Sequence, residues 1–204
     1  MAVFLHEDDL PKGCLPHGDL ALSVDSLEYN NARSTLKSIQ LSDGSGDVHV
    51  VRFRGILGSG TPHLIRVLSD ERRVKILDHA ALTLAKMQHN LGLKLRSVHC
   101  ITVASKLTRT YASKHNLDTL IDELPNMHTH LRCGAKFQED ESETPWLEAA
   151  AKRVRFLHIL REEQLRALRR ENRMELAQSC FAYLPARAEL VLHGWHDRDI
   201  LAFS

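Results

Sequence analysis

The sequence predicts an α/β domain in which a mixed β-sheet is flanked by helices. Three observations lead to this fold class. Two short apolar runs surround a turn rich in glycine and aspartate, strand-like and helix-like segments then alternate, and the last third of the chain has helical periodicity. With 204 residues, of which 43% are hydrophobic, the chain can bury a full core. We therefore expect one domain, 1–204.

The first third of the chain is expected to supply most of the sheet. Residues 20–24 form a short apolar run suited to a buried strand. Segments 36–41 and 48–53 flank the glycine- and aspartate-rich turn, which favours a tight reversal, so they predict a hairpin. Thr61 and Pro62 predict a helix start, because threonine is a favoured N-cap and proline suits the first helical position.

Strands and helices are then predicted to alternate. The expected strands are 73–77 and 98–102, and the expected helices are 80–91, 103–114 and 117–124. Asn116 is predicted to end the helix at 103–114, because asparagine tolerates the left-handed conformation of a C-terminal cap.

A long helix is predicted to begin at Thr144 and to make the C-terminal third helical. Its apolar residues fall in one stripe: Trp146, Ala150, Val154, Leu157, Leu160, Leu165 and Leu168. The opposite side is charged and contains i,i+4 pairs of opposite sign. This pattern indicates a helix that packs one face against the sheet.

Composition limits the classes of partner and compartment. A net charge of +1 gives no general attraction for nucleic acid, and no apolar run approaches the roughly 20 residues that span a bilayer, so membrane insertion is not expected. The cysteines are scattered and form no C-x-x-C pair, which indicates a reducing compartment. We therefore expect the cytoplasm, and the family resemblance described below implies a bacterial one, or an organelle of bacterial origin if a presequence has been removed.

Histidine and cysteine residues show no metal motif in the sequence. His128, His130 and Cys133 are the nearest approach, but they lack a second ligand pair, and we interpret them as part of a polar loop. His6, His49 and His89 have no organising partner in the sequence, and we interpret them as ordinary surface or core residues.

Several segments of the chain resemble the RNase D type of DEDD 3′–5′ exonuclease, and more narrowly the compact alphaproteobacterial nanoRNase C group. These segments lie at 40–44, 104–111, 175–181, 184–187 and 194–195. The resemblance implies an RNase H-like fold and homo-oligomeric rings. It also implies two Mg²⁺ or Mn²⁺ ions held by four carboxylates, with a tyrosine that orients the attacking water.

The resemblance places the degenerate catalytic motifs at five positions. Ser23 and Asp25 replace the first aspartate and glutamate, and Thr83 replaces an aspartate. Ala149 and Arg153 stand where the tyrosine and the last aspartate belong. Two divalent cations ~4 Å apart repel each other by roughly 17 kcal/mol at an effective dielectric constant of about 20. One remaining carboxylate beside an arginine does not offset that repulsion, so we expect no catalytic residues, no bound metal and no cofactor.

Arg153 leads to a hypothesis about the site. Its guanidinium would occupy the former metal position and pair with Asp25, because a buried lone charge is costly and a buried pair is tolerated. Such an arginine could also hold a phosphate without hydrolysing it. The alternative is that Arg153 points to solvent.

Basic residues suggest a possible contact with RNA. Between residues 152 and 173 there are eight basic and three acidic side chains, a local net charge of +5. The candidate nucleic-acid-binding residues are Lys106, Arg109, Lys152, Arg153 and Arg155. A solvated helix face is the alternative, because no interleaved aromatic residues offer base stacking.

The function predicted from these observations is a catalytically inactive exonuclease-like protein. It would act as a structural or partner-binding subunit, with protein partners or further copies of itself, and with RNA as a possible contact. Two alternatives stay open. One is an active metal-dependent exoribonuclease on short RNA that uses displaced acids, such as Asp78 or the run 139–143. The other is a non-hydrolysing RNA-binding module.

Overall fold

A computed structural model describes residues 2–15, 17–55, 60–124 and 143–195. Its strands form one six-stranded sheet in the order β1-β4-β3-β2-β5-β6. The strands are β1 (Val3–Glu7), β2 (Leu20–Ser26), β3 (Leu36–Ser42), β4 (Val48–Arg52), β5 (Lys75–Leu77) and β6 (Val98–Cys100). The β2–β3 and β3–β4 pairs are antiparallel, and the β1–β4, β2–β5 and β5–β6 pairs are parallel. The predicted mixed sheet is confirmed.

Helices cover both faces of this sheet. Those in the described residues are α1 (Pro62–Ser69), α2 (Ala80–Leu91), α3 (Ile101–Thr108), α4 (Leu117–Asp122), α5 (Glu143–Arg170) and α6 (Met174–Leu192). Leu20 and Leu22 of β2 belong to the core beneath α1, α2 and α6. Ala21 belongs to the core beneath α4 and α5. This alternation follows from the two-residue period of a strand.

The predicted hairpin, the helix 80–91 and the helical C-terminal third are confirmed. Gly92 ends α2 with a φ of 64°, and its N–H donates to the carbonyl of Gln88. None of the described helices combines the length and the apolar character that a transmembrane segment needs.

The prediction for Asn116 is wrong. The helix before it ends at Thr108, and Asn116 is instead the N-cap of α4. Its side-chain oxygen accepts a hydrogen bond from the backbone N–H of Thr119 at 2.9 Å. The short polar side chain thus satisfies a free N–H at the start of the next helix. The preceding strand is also shorter than predicted, because α3 begins at Ile101, directly after β6.

Thr61 precedes α1 as predicted, but its side chain makes no capping hydrogen bond. The carboxylate of Asp9 accepts the N–H groups of His63 and Leu64 instead, at 3.0 and 2.8 Å. A residue far away in the sequence therefore caps this helix. The sequence also gave no signal for β1, a five-residue strand at the edge of the sheet.

Candidate functional site

The positions that resemble catalytic motifs converge at one cleft. Ser23 and Asp25 lie on β2, Thr83 lies on α2 and Arg153 lies on α5. Ser23, Thr83 and Arg153 line a cleft of about 80 Å³, which we call the degenerate cleft. Ala149, one helical turn before Arg153, is buried. Because β2 alternates, Ser23 and Asp25 share the face of the sheet that α5 covers.

Asp25 and Arg153 form an ion pair inside this site. Both carboxylate oxygens of Asp25 lie 2.7 Å from Nη2 of Arg153. The side chains are 8% and 17% exposed, respectively. The structure therefore confirms the predicted pairing, and the alternative of a solvent-facing arginine is wrong.

The carboxylate of Asp25 has further partners on β3. Ser38 Oγ donates to it at 3.1 Å, and Gln40 Nε2 donates at 2.9 Å. Gln40 Nε2 also lies 2.7 Å from Ser38 Oγ. All three residues are buried. Asp25 is thus held by hydrogen bonds from two elements besides its own strand, as a buried charge requires.

Sequence reasoning missed the roles of Ser38 and Gln40. The antiparallel register places Ser38 opposite Asp25 and Gln40 opposite Ser23. Polar residues at alternate positions of β3, Ser38, Gln40 and Ser42, were the available signal. That signal has no meaning until the register of the hairpin is known.

Lys86 is a second cation at the degenerate cleft that sequence reasoning missed. It is only 2% exposed, and its Nζ donates to Ser26 Oγ at 2.7 Å and to the carbonyl of Tyr29 at 2.6 Å. Burial lowers the pKa of Lys86 to about 8, although the negative charge of Asp25 acts in the opposite direction. A lysine three residues after Thr83 lies on the same helix face, and that spacing was the available signal.

Asp78, the acid considered for a displaced catalytic role, also lines the degenerate cleft. Its Oδ1 accepts a hydrogen bond from Thr102 Oγ1 at 2.8 Å, and its Oδ2 lies 3.6 Å from His79 Nε2. Burial raises the pKa of the Asp78 carboxyl. The other acids considered, in the run 139–143, lie outside the described side chains.

The candidate nucleic-acid-binding residues are in mixed environments. Arg109 lies 2.5 Å from Glu123 and so joins the end of α3 to α4, whereas Lys106 is exposed. Arg153 turns inward to Asp25. Lys152 and Arg155 are half-buried and make no ion pair with any residue that the structure describes.

Much of the basic run on α5 is already neutralised within the chain. Arg161 pairs with Asp19 at 2.9 Å, and Arg170 pairs with Glu171 at 3.2 Å. Arg166 pairs with neighbouring glutamates of the same helix. The three glutamates are already counted in the local charge of +5, but Asp19 and Asp25, which pair with Arg161 and Arg153, are not. The value of +5 therefore overstates the positive charge that this helix offers to a phosphate backbone.

A larger cavity lies away from the degenerate cleft. It measures about 510 Å³ and is lined by residues of strand β6 and of helices α5 and α6. None of the five degenerate positions lines it. Its wall contains His99, whose ring nitrogen Nε2 lies 3.2 Å from Gln164 Oε1. Burial lowers the pKa of His99 to about 4.

His6 and His49, for which the sequence shows no partner, are partners of each other in the structure. The parallel pairing of β1 with β4 brings their rings together, and Cys14 lies beside them. His89 is exposed, as expected. The other histidine and cysteine group, at 128–133, falls outside the described residues.

Comparisons with known proteins agree with this geometry. A family model described as 3′–5′ exonuclease matches residues 16–166. No curated protein sequence matches the chain. Brucella melitensis NrnC is 32% identical, with all of both chains covered and a TM-score of 0.91. The structure of Brucella melitensis NrnC with bound Mg²⁺ is 33% identical over the same coverage, with a TM-score of 0.90.

A more distant structure shows the same fold. Escherichia coli RNase D is 14% identical, with a TM-score of 0.69, over 90% of this chain and 51% of that one. The predicted RNase H-like fold is confirmed by these neighbours together with the mixed sheet. The chain therefore belongs to the 3′–5′ exonuclease family, in its DEDD group, and is similar to NrnC.

Proposed function

We propose that this chain is a catalytically inactive member of the exonuclease family and acts as a structural or partner-binding subunit. The observation that carries the proposal is the Asp25–Arg153 ion pair in the degenerate cleft. An arginine side chain holds the position that the resemblance assigns to a metal-binding aspartate. The chain has the fold of the family, but an ion pair stands where the resemblance places metal ligands.

The residues at this site do not fit a pair of Mg²⁺ ions. Mg²⁺ needs a near-octahedral shell of oxygen ligands, usually including carboxylates. Asp25, the one acid left at the degenerate positions, already accepts hydrogen bonds from Arg153, Ser38 and Gln40. The positive charges of Arg153 and Lys86 also repel a divalent cation at short range.

The proposed partner-binding role rests on the exposed surface of the chain. Changes confined to a cleft leave the outer surface of a fold available for protein contacts. Tyr111 is 87% exposed and Trp195 is 43% exposed. Large aromatic side chains of this kind are enriched in protein interfaces. The proposed partner is either another protein or further copies of this chain.

A hydrolysis assay tests the inactive state. The chain is incubated with a labelled RNA dinucleotide and Mn²⁺, alongside a variant that carries Ser23→Asp, Asp25→Glu, Thr83→Asp, Ala149→Tyr and Arg153→Asp. We expect no turnover by the natural sequence and measurable turnover by the repaired variant, because the backbone positions still converge. Turnover by the natural sequence that Asp25→Ala abolishes would overturn the proposal.

A second experiment tests the partner-binding role. The tagged chain is isolated from its native cells at low ionic strength, and its mass is measured by light scattering after size exclusion. We expect a fixed stoichiometric assembly. A lone chain in this experiment would contradict the partner-binding role without bearing on catalysis. RNA that co-purifies and is released by salt would instead favour the non-hydrolysing RNA-binding module.

A further inference from the structure

Three potential metal ligands converge at the edge of the sheet, and none of them lines the degenerate cleft. His6 lies on β1, His49 lies on β4 and Cys14 lies in the segment between β1 and β2. Parallel pairing places Phe4 beside His49 and His6 beside Val51. Since His6 is two residues after Phe4, the two imidazoles lie on the same face of the sheet.

The donor atoms of these three residues lie close together. His6 Nε2 lies 3.0 Å from His49 Nδ1, and Cys14 Sγ lies 3.2 Å from the same nitrogen. All three donor atoms lie within 4.8 Å of one another. The rings are nearly parallel with centroids 5.2 Å apart, so the much shorter nitrogen separation means that they meet through their nitrogen edges.

His49 is the centre of this cluster. Its Nδ1 lies next to both His6 Nε2 and Cys14 Sγ, and Cys14 Sγ also lies 3.6 Å from His49 Nε2. Nδ1 of an imidazole either donates one hydrogen bond or accepts one, so it can pair with only one of these two neighbours at a time. A cation between the three donors would be contacted by all of them at once.

We propose that His6, Cys14 and His49 bind a Zn²⁺ ion, with water as the fourth ligand. One thiolate and two imidazoles form a donor set typical of tetrahedral zinc and unlike the oxygen shell of Mg²⁺. Zn–N bonds of about 2.0 Å and Zn–S bonds of about 2.3 Å set ligand atoms roughly 3.3 to 3.6 Å apart. The observed 3.0 and 3.2 Å need only a small outward shift.

The local charges agree with cation binding. Burial lowers the pKa of both His6 and His49, so the imidazoles are neutral at pH 7 and keep lone pairs for a metal. Burial raises the pKa of the Cys14 thiol. Binding therefore replaces the thiol proton with the Zn–S bond and releases that proton to solvent. The carboxylate of Asp43 acts electrostatically on Cys14 and His49 and favours a nearby cation.

The proposed site would join three parts of the chain that are distant in sequence. It would fix the edge strand β1 to β4 and would hold the segment around Cys14 against the sheet. Bound zinc would then stabilise the folded state by mass action. This inference stands independently of the proposed loss of catalysis, because it uses none of the residues of the degenerate cleft.

Zinc titration of the chelator-treated, full-length chain tests the proposal, with a chromophoric chelator as competitor. We expect one equivalent of Zn²⁺ per chain to bind and the melting temperature to rise. Co²⁺ should give the visible bands of a tetrahedral site and a thiolate-to-metal absorption. Cys14→Ser and His49→Gln should each weaken binding at least tenfold, and Cys14→Ser should remove the thiolate absorption.

Matched controls separate this site from other thiols and imidazoles. Cys180→Ser and His89→Gln should leave the affinity unchanged, and so should the pair His128→Gln and Cys133→Ser. Failure of the natural sequence to compete with the chelator would overturn the proposal. Binding that is lost with Cys133→Ser but kept with Cys14→Ser would also overturn it. Circular dichroism of each variant without metal confirms that the comparison is made between folded proteins.

Discussion

The guanidinium of Arg153 lies 2.7 Å from both carboxylate oxygens of Asp25, and the contact joins helix α5 to strand β2. The residues are 128 positions apart in the sequence. The pair connects the two elements through side chains of the chain itself. Its removal should therefore affect stability.

We expect Arg153→Met to lower the free energy of unfolding by about 2–4 kcal/mol, because Asp25 would keep a buried charge without its cation. Urea denaturation measures this change. Arg155→Met is the matched control, since Arg155 is also half-buried on α5 but makes no ion pair with a described residue. A loss for Arg153→Met no larger than that of the control would show that the pair is energetically neutral.

Lys86 should oppose metal binding even when the carboxylates are restored. Its pKa of about 8 means that it is charged at pH 7 and loses its proton above pH 8. In the repaired variant, Lys86→Met should therefore raise Mg²⁺ affinity by about tenfold at pH 7. The affinity of the variant that keeps Lys86 should rise as the pH is raised and Lys86 loses its proton.

Isothermal titration calorimetry checks the effect of Lys86. Lys94→Met serves as the control, because Lys94 is an exposed lysine paired with Glu189. Equal Mg²⁺ affinities with and without Lys86 would mean that its charge has no electrostatic effect on a bound Mg²⁺ ion.

Buried His99 should make the chain less stable in acid. Its pKa is about 4 in the folded state and about 6.5 when unfolded, so the unfolded chain binds more protons between these values. The contribution of His99 to the free energy of unfolding is fully present above pH 6.5. It falls by about 3 kcal/mol as the pH drops to 4.

Unfolding by urea at several pH values tests this prediction. His99→Gln should flatten the stability profile between pH 6.5 and 4 relative to the natural sequence, and His89→Gln should not. Parallel profiles of stability against pH for the natural chain and both variants would contradict the predicted effect of His99.

Arg73 should be essential to the segment before β2. Its guanidinium donates to the carbonyls of Gly18, Leu15 and His17 at 2.5, 2.7 and 2.7 Å. Arg73→Met would leave the carbonyl of buried Leu15 unpaired and would remove two further hydrogen bonds from the same segment, so we expect a loss of about 3 kcal/mol in thermal or urea unfolding.

The adjacent exposed Arg72 provides the control for Arg73. Among the described residues its side chain pairs with nearby Asp70, in direct contact at the exposed surface, so Arg72→Met should have no measurable effect. A similar result for both variants would show that water replaces the guanidinium of Arg73.

The sequence predicted those elements whose signals are local. Helix α2 and the hairpin of β3 and β4 follow from apolar spacing and turn composition. The pairing of Asp25 with Arg153 could also be predicted, because resemblance to a known family placed both residues at one site. Long-range contacts were missed where no pattern marks them, as with the Asp9 carboxylate that caps α1.

The parts of the site that escaped prediction depend on strand register. Gln40 reaches Asp25, and His49 reaches His6, only after β3 and β4 have found their partners. Lys86 was missed for a different reason, since a lysine on an amphipathic helix is usually solvated. Its burial is a consequence of the loop carbonyls that surround it.

Parallel pairing of β1 with β4 has a consequence for biosynthesis. Strand β1, Val3–Glu7, is synthesised before its partner and has no place in the described sheet until Val48–Arg52 has been made. At about 5–20 residues per second, that interval lasts roughly 2 to 9 seconds. The antiparallel pairs β2–β3 and β3–β4 form between neighbouring segments of the chain. Strand β1 therefore docks only after β4 has been made, and it is exposed to chaperones during that interval.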